Sequence, residues 1–136
     1  MQVRLHFHPV RGKALDTIDA ILHTEEVAEV GEVYGDIRLV VEELVMNIAE
    51  YAYPDVGGDY LDVEIGRDEE RITLCFRDGG VAFNPLEQPP PDISLPMEQR
   101  RIGGIGLLIV VRKMDAVTYE YTGGENVLTI VKKLKN

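Results

Sequence analysis

Apolar residues along this chain change period several times, and each change marks an element. Val3, Leu5 and Phe7 alternate with Arg4, His6 and His8 before Pro9, the two-residue period of a half-buried strand that proline then ends, so the first element is an edge-like strand. From about Lys13 to Glu29 the apolar positions Leu15, Ile18, Ile21, Leu22 and Val27 recur at helical spacing with acids opposite, which predicts an amphipathic surface helix. A second helix is predicted from Asp36, a residue suited to capping it, to Tyr53, where Pro54 and the Gly57-Gly58 pair stop it. Its stripe of Ile37, Val40, Val41, Leu44, Val45, Ile48 and Ala52 follows i, i+3, i+4, i+7 spacing and predicts packing on a sheet.

Two strand patterns follow, Tyr60 to Gly66 and Arg71 to Arg77, close enough to read as a hairpin. The stretch from Gly79 to Arg101 carries Pro85, Pro89, Pro90, Pro91 and Pro96, too many for a regular element, and its length suggests a lid. Helical spacing resumes from Gly103 to Met114, and two further strands, Val117 to Tyr121 and Val127 to Leu134, flank the turn Gly123-Gly-Glu-Asn126. Strands that come in hairpins do not make an alternating parallel fold. The expectation is an α+β two-layer sandwich in a single domain spanning 1–136, with helices on one face of a mixed, mainly antiparallel sheet and the other face wet.

Composition narrows the function without naming it. The 136 residues are 45% hydrophobic and 28% charged, ordinary for a globular domain able to bury a core. A net charge of −10 opposes direct nucleic-acid binding, and the short Lys132, Lys133, Lys135 cluster reads as a solvated strand end. One cysteine, Cys75, excludes an internal disulfide; it alternates with Leu74 and Phe76, which puts it on the face away from the core. The N-terminal alternation is not a signal peptide and the run from Ile105 to Val111 is too short to span a membrane, so a cytoplasmic protein is expected. His6 and His8 read as a solvated pair and His23 as a surface residue.

The chemistry lies in three segments whose order matters more than any one of them. In Glu43-Leu-Val-Met-Asn47, four residues advance about 400° on a helix, so the carboxylate and the carboxamide fall within roughly 40° of each other on one flank. Asn47 offers an amide oxygen of the kind that binds Mg2+, and Glu43 a carboxylate one turn away able to take a proton from an attacking hydroxyl. Asp78 follows an apolar strand and precedes Gly79 and Gly80, where a carboxylate can accept a hydrogen bond from an adenine amino group and Gly80 lets the backbone pass close by. Gly103, Gly104 and Gly106 open a helix, whose free N–H groups and dipole favour a phosphate.

Together these segments resemble the N, G1 and G2 boxes of the GHKL ATP-binding fold. The run from Val41 to Tyr53, the turn Asp78-Gly-Gly-Val-Ala-Phe-Asn-Pro85 and Gly103-Gly-Ile-Gly-Leu107 are most similar to bacterial anti-sigma-factor serine/threonine kinases of the RsbW type. That resemblance covers nearly the whole chain. It implies ATP and Mg2+ as cofactors, Glu43 as base, Asn47 as magnesium ligand, Asp78 with Gly80 at the adenine, and Gly103, Gly104, Gly106 and Leu107 at the phosphates. It further implies that Thr129 supports the adenine-binding aspartate. The implied partners are an anti-anti-sigma, STAS-like substrate, a sigma factor and a second copy in a homodimer. Tyr51 stands where many members of the family have histidine, and Ala82 where the usual turn has its second glycine. Arg100 and Arg101 end the expected lid and read as a solvated pair, with contact to a triphosphate as the alternative. The alternative reading is a nucleotide-gated module that binds a sigma factor or other regulator without kinase turnover; a fragment of a phosphorelay is disfavoured by the absence of a phosphoacceptor hairpin before the ATPase part.

Overall fold

The computed structural model describes residues 1–53, 59–84 and 110–134. Five strands form one sheet: β1 (Gln2–Phe7), β2 (Leu61–Arg67), β3 (Arg71–Asp78), β4 (Ala116–Thr122) and β5 (Glu125–Lys133). Their order is β1-β2-β3-β5-β4, and every pairing among them is antiparallel. Helices α1 (Ala14–Leu22), α2 (Glu25–Ala28) and α3 (Tyr34–Asn47) supply the second layer, which is the expected α+β arrangement. Among the described residues no helix is long and apolar enough to cross a membrane.

Alternation decides which face of the sheet is covered. Ile72, Leu74, Phe76 and Asp78 project from β3 to the helix side and are all buried, whereas Thr73 and Cys75 are half-buried and Arg77 is exposed on the other face. Leu61, Val63 and Ile65 of β2 and Leu128 and Ile130 of β5 extend the same apolar face. Against it pack Ile37, Val40, Val41, Leu44 and Val45 of α3, with Ile18 and Ile21 of α1. The sheet's open face carries ordinary exposed polar pairs, such as Arg4 with Glu64 at 3.5 Å and His6 with Asp62.

Three boundaries differ from the sequence pattern, each for a local reason. The predicted helix over 13–29 is two helices, because Thr24 turns the chain: its hydroxyl donates to the Ile21 carbonyl at 2.8 Å and accepts from the Val27 N–H to cap α2. Asp36 does not cap α3, which begins two residues earlier after a 3-10 turn over Gly31–Val33. Its carboxylate instead meets Lys113 and Lys132, each at 3.5 Å. The second predicted helix is α-helical only to Asn47 and then widens into a π-helical segment, Ile48–Ala52. The π turn rotates less per residue than an α turn, and Ala49 and Tyr53 take the buried positions while Ile48 and Ala52 are only partly covered.

The β4–β5 hairpin turns on Gly123 and Gly124, with φ of 60° and 79°, the left-handed pair that a two-residue hairpin of this kind requires. Strand β5 therefore begins at Glu125, two residues before the predicted start, and Asn126 belongs to the sheet. Phe76, 1% exposed at the centre of β3, measures how far the core depends on this layer. Phe76→Ala is expected to destabilise the protein by about 3–5 kcal/mol, read as a lowered urea midpoint with an unchanged slope.

Candidate active site

Asp78 is the last residue of β3 and only 4% exposed. A carboxylate in that position needs hydrogen-bond donors, because burial without them costs several kcal/mol. Its Oδ1 accepts two: the Gly80 N–H at 2.9 Å and the Asn126 Nδ2 at 3.0 Å. Asn126 faces Asp78 directly across the β3–β5 pairing. Burial raises the Asp78 pKa, and the two hydrogen bonds and the nearby Glu125 act on it less strongly, the bonds downward and the acid upward. The other carboxylate oxygen, Oδ2, receives no hydrogen bond from a described residue. A buried acceptor without a donor fits a ligand that brings one, and the exocyclic amine of adenine is such a donor.

Asn126 does more than hold Asp78. Its Nδ2 also donates to the Val81 carbonyl at 2.8 Å, while its Oδ1 accepts from the Phe83 N–H at 3.1 Å and from the Tyr119 hydroxyl. One carboxamide thus fixes the aspartate and the chain that leaves it. Thr129, expected to give this support, lies three residues further along β5, opposite Cys75 and Thr118, and so on the opposite face of the sheet from Asp78. The aspartate's partner is Asn126. Placing it in the hairpin loop hid it; the two consecutive glycines were the signal that a two-residue turn left it inside the strand.

Gly80 is required by a close approach of another kind from the one expected. A Cβ there would lie 2.2 Å from the Ala52 carbonyl oxygen and 2.6 Å from the Ala52 Cβ, so the turn after β3 sits directly on the π-helical end of the helix. The Val81 N–H donates to the same Ala52 carbonyl at 2.9 Å. Ala82, next along, is exposed with no regular structure.

The helix carries the second half of the site. Glu43 and Asn47 are both half-buried on α3. Asn47 donates its Nδ2 to the Glu43 main-chain carbonyl at 2.9 Å, which commits the nitrogen of the amide and leaves Oδ1 as the end available to a hard cation. Burial, and then the negative charge of Glu50 two turns on, raise the Glu43 pKa. A carboxylate so raised is a stronger base than an ordinary glutamate. The residues Gly103, Gly104, Gly106 and Leu107, with Arg100 and Arg101, lie outside the described residues, as does the side chain of Tyr51.

The two-layer sandwich, which brings a helical acid–amide pair and a buried strand-end aspartate into one domain, belongs to an ATPase class of fold in comparison with known proteins. The model of the histidine kinase-like ATPase domain family matches residues 8–132, and the chain belongs to that family, within the GHKL superfamily. It is similar to the serine-protein kinase RsbW of Bacillus thuringiensis subsp. konkukian (strain 97-27) and of Bacillus cereus (strain AH187), 31% identical over 97 residues in each case. The RsbW of Bacillus mycoides (strain KBAB4) is 29% identical over 97 residues. These matches cover 68% of this chain and 60% of each relative, so the chain spans about 60% of the length of the curated relatives it matches.

Asn126→Ala leaves the Phe83 N–H and an Asp78 carboxylate short of partners, and is expected to destabilise by about 1–3 kcal/mol at neutral pH. Asp78 has a raised folded-state pKa, so its contribution to stability is largest when it is protonated and is lost as pH rises through that pKa. Without Asn126 that pKa rises further. Urea titrations should therefore show the deficit of the variant shrinking as the pH is lowered into the range where Asp78 protonates.

Proposed function

We propose that this protein is a Mg-ATP-dependent serine/threonine protein kinase of the anti-sigma type, which phosphorylates an anti-anti-sigma, STAS-like partner and also binds a sigma factor. The observation that carries the reading is the acid–amide pair on α3: a half-buried Glu43 of raised pKa, and an Asn47 whose nitrogen is already bonded and whose oxygen meets no donor among the described residues. A purely adenine-binding module has no need of the first. The name carried by the similar Bacillus proteins, serine-protein kinase, supports the reaction type.

Each residue then has a task. Bound Mg-ATP would supply the transferable phosphoryl group and the cation that offsets its charge. Asp78, through its free Oδ2, accepts the adenine amine, with Asn126 holding the carboxylate in place; Asn47 Oδ1 is the protein's ligand to the cation. Glu43 takes the proton from the substrate hydroxyl as that oxygen forms its bond to the terminal phosphorus, while the bond to the bridging oxygen breaks and the nucleoside diphosphate leaves with the electron pair. The raised pKa makes Glu43 a better proton acceptor than a fully exposed glutamate. The glycines Gly103, Gly104 and Gly106 are assigned to the phosphates on the family resemblance.

Labelled ATP, Mg2+ and STAS-domain proteins from the same source test the assignment. Glu43→Ala is expected to keep nucleotide affinity and lower the rate of transfer by about 10²–10⁴-fold, whereas Asn47→Ala should weaken the magnesium-dependent part of binding itself. A wild-type protein that binds ATP and a sigma factor but phosphorylates nothing would move the function to a nucleotide-gated binding module.

The pH dependence offers a separate check. Transfer needs ionised Glu43, so its rate should fall on the acid side with a midpoint above that of an ordinary glutamate. Glu50 contributes to that elevation by repulsion; Glu50→Gln lowers the Glu43 pKa and should move the acid limb to lower pH. An unmoved limb in that variant would assign the base elsewhere.

A further inference from the structure

The turn after β3 has three successive N–H groups, and each goes to a different acceptor. Gly80 donates to Asp78 itself, Val81 to the Ala52 carbonyl, and Gly79 to the phenolic oxygen of Tyr53 at 2.7 Å. Tyr53 is buried at the end of the π-helical segment that continues α3, and its hydroxyl donates in turn to the Tyr60 carbonyl at 2.7 Å, just before β2. One oxygen therefore joins the end of the Asn47 helix, the entry to β2 and the residue adjoining Asp78. Gly79 is also held from the other side: a Cβ there would lie 2.8 Å from the Tyr60 ring, whose own hydroxyl is bonded to Glu125.

We infer that Tyr53 is a positioning residue for purine recognition, setting the aim of the free Asp78 oxygen by holding the Gly79 N–H on the end of the helix that carries Glu43 and Asn47. The inference rests on the reading that Asp78 receives the adenine amine. If the phenolic oxygen is removed, the N–H beside the carboxylate loses its acceptor, and the turn must rearrange to find another. The adenine end of the nucleotide feels that rearrangement first. The Asn47 amide, anchored within its own helix, does not depend on it.

The test compares ATP with inosine triphosphate, which presents a carbonyl oxygen where adenine has its amine, so the group facing the Asp78 carboxylate changes from donor to acceptor and the remaining donor, N1–H, sits one ring atom away. Wild type is expected to prefer ATP in calorimetric titrations with Mg2+. Tyr53→Phe keeps the ring and is expected to weaken ATP by about tenfold, leave inosine triphosphate nearly unchanged, and so reduce the preference by about tenfold. In the transfer assay the KM for ATP should rise with kcat at saturation retained. Tyr60→Phe removes a neighbouring hydroxyl but not the Tyr60 carbonyl that Tyr53 uses, and should keep the wild-type preference. A Tyr53→Phe protein with a lower Tm but an unchanged ratio of affinities would overturn the inference and leave a structural role only. Wild type that binds ATP without preferring it over inosine triphosphate overturns the inference as well, and wild type that binds neither nucleotide overturns the functional reading along with it. Hydrogen exchange on wild type gives a check independent of how the variant folds: the Gly79 amide should be protected, and exchange at the rate of a free amide would sink the proposal.

Discussion

A carboxyl group held away from water at the end of β3 is the constraint around which the rest of the candidate site is arranged. Asp78 is buried in line with Leu74 and Phe76, where chain alternation would otherwise call for another hydrophobe. Such a group persists only if hydrogen bonds oppose its desolvation. Among the described residues, a main-chain amide and a cross-strand carboxamide do so, both on one oxygen. The second oxygen is left without a donor among those residues, at the expense of stability. Local rules of folding are broken most often where a ligand is meant to repair them.

That constraint explains features that look unrelated in isolation. The close seat of Gly80 on Ala52 brings the strand-end turn against the helix. The π-helical widening after Asn47 presents the Ala52 carbonyl and the Tyr53 hydroxyl to that turn together. π-Helical segments are uncommon and concentrate at functional positions, and this one joins the helix carrying the acid–amide pair to the aspartate's surroundings. Helix and sheet are linked there by directional bonds as well as by apolar contact, which gives the two halves of the site a fixed relation.

Much of this was legible in the residues. Strict alternation in β2 and β3 and the stripe from Ile37 to Val45 specified the two layers, because a period of two or of 3.6 leaves few other ways to bury those side chains. Glu43 and Asn47 stood out by their spacing on one helix and Asp78 by the two glycines after it. What the pattern did not reveal were features set by tertiary contact. Thr24 breaks a helix that periodicity runs straight through; Asp36, in a capping position by its type, is claimed by lysines distant in sequence. Asn126 and Thr129 are three residues apart and hence on opposite faces, so the support of Asp78 comes from Asn126, which the predicted strand start at Val127 left in the turn, and not from Thr129, which the family resemblance implied. Tyr53 gave no signal beyond being a large side chain at a helix end, since its role lies in an oxygen that meets a turn 26 residues later.

The paired lysines around Asp36 have an effect of their own. Phe83 and Lys113, in the described segments 59–84 and 110–134, are held by polar contacts of different kinds. Phe83 is held by an amide and a phenol, neutral groups indifferent to ions. Lys113 is held to Asp36 by an ion pair at the surface, with Lys132 alongside it and bonded to the Lys113 carbonyl. Surface ion pairs weaken as the Debye length contracts, while neutral hydrogen bonds scarcely respond. Rising salt therefore weakens the contact of Lys113 with Asp36 and leaves the hydrogen bonds of Phe83 as they were, while the buried Val110 and Met114 on either side of Lys113 are untouched by ions.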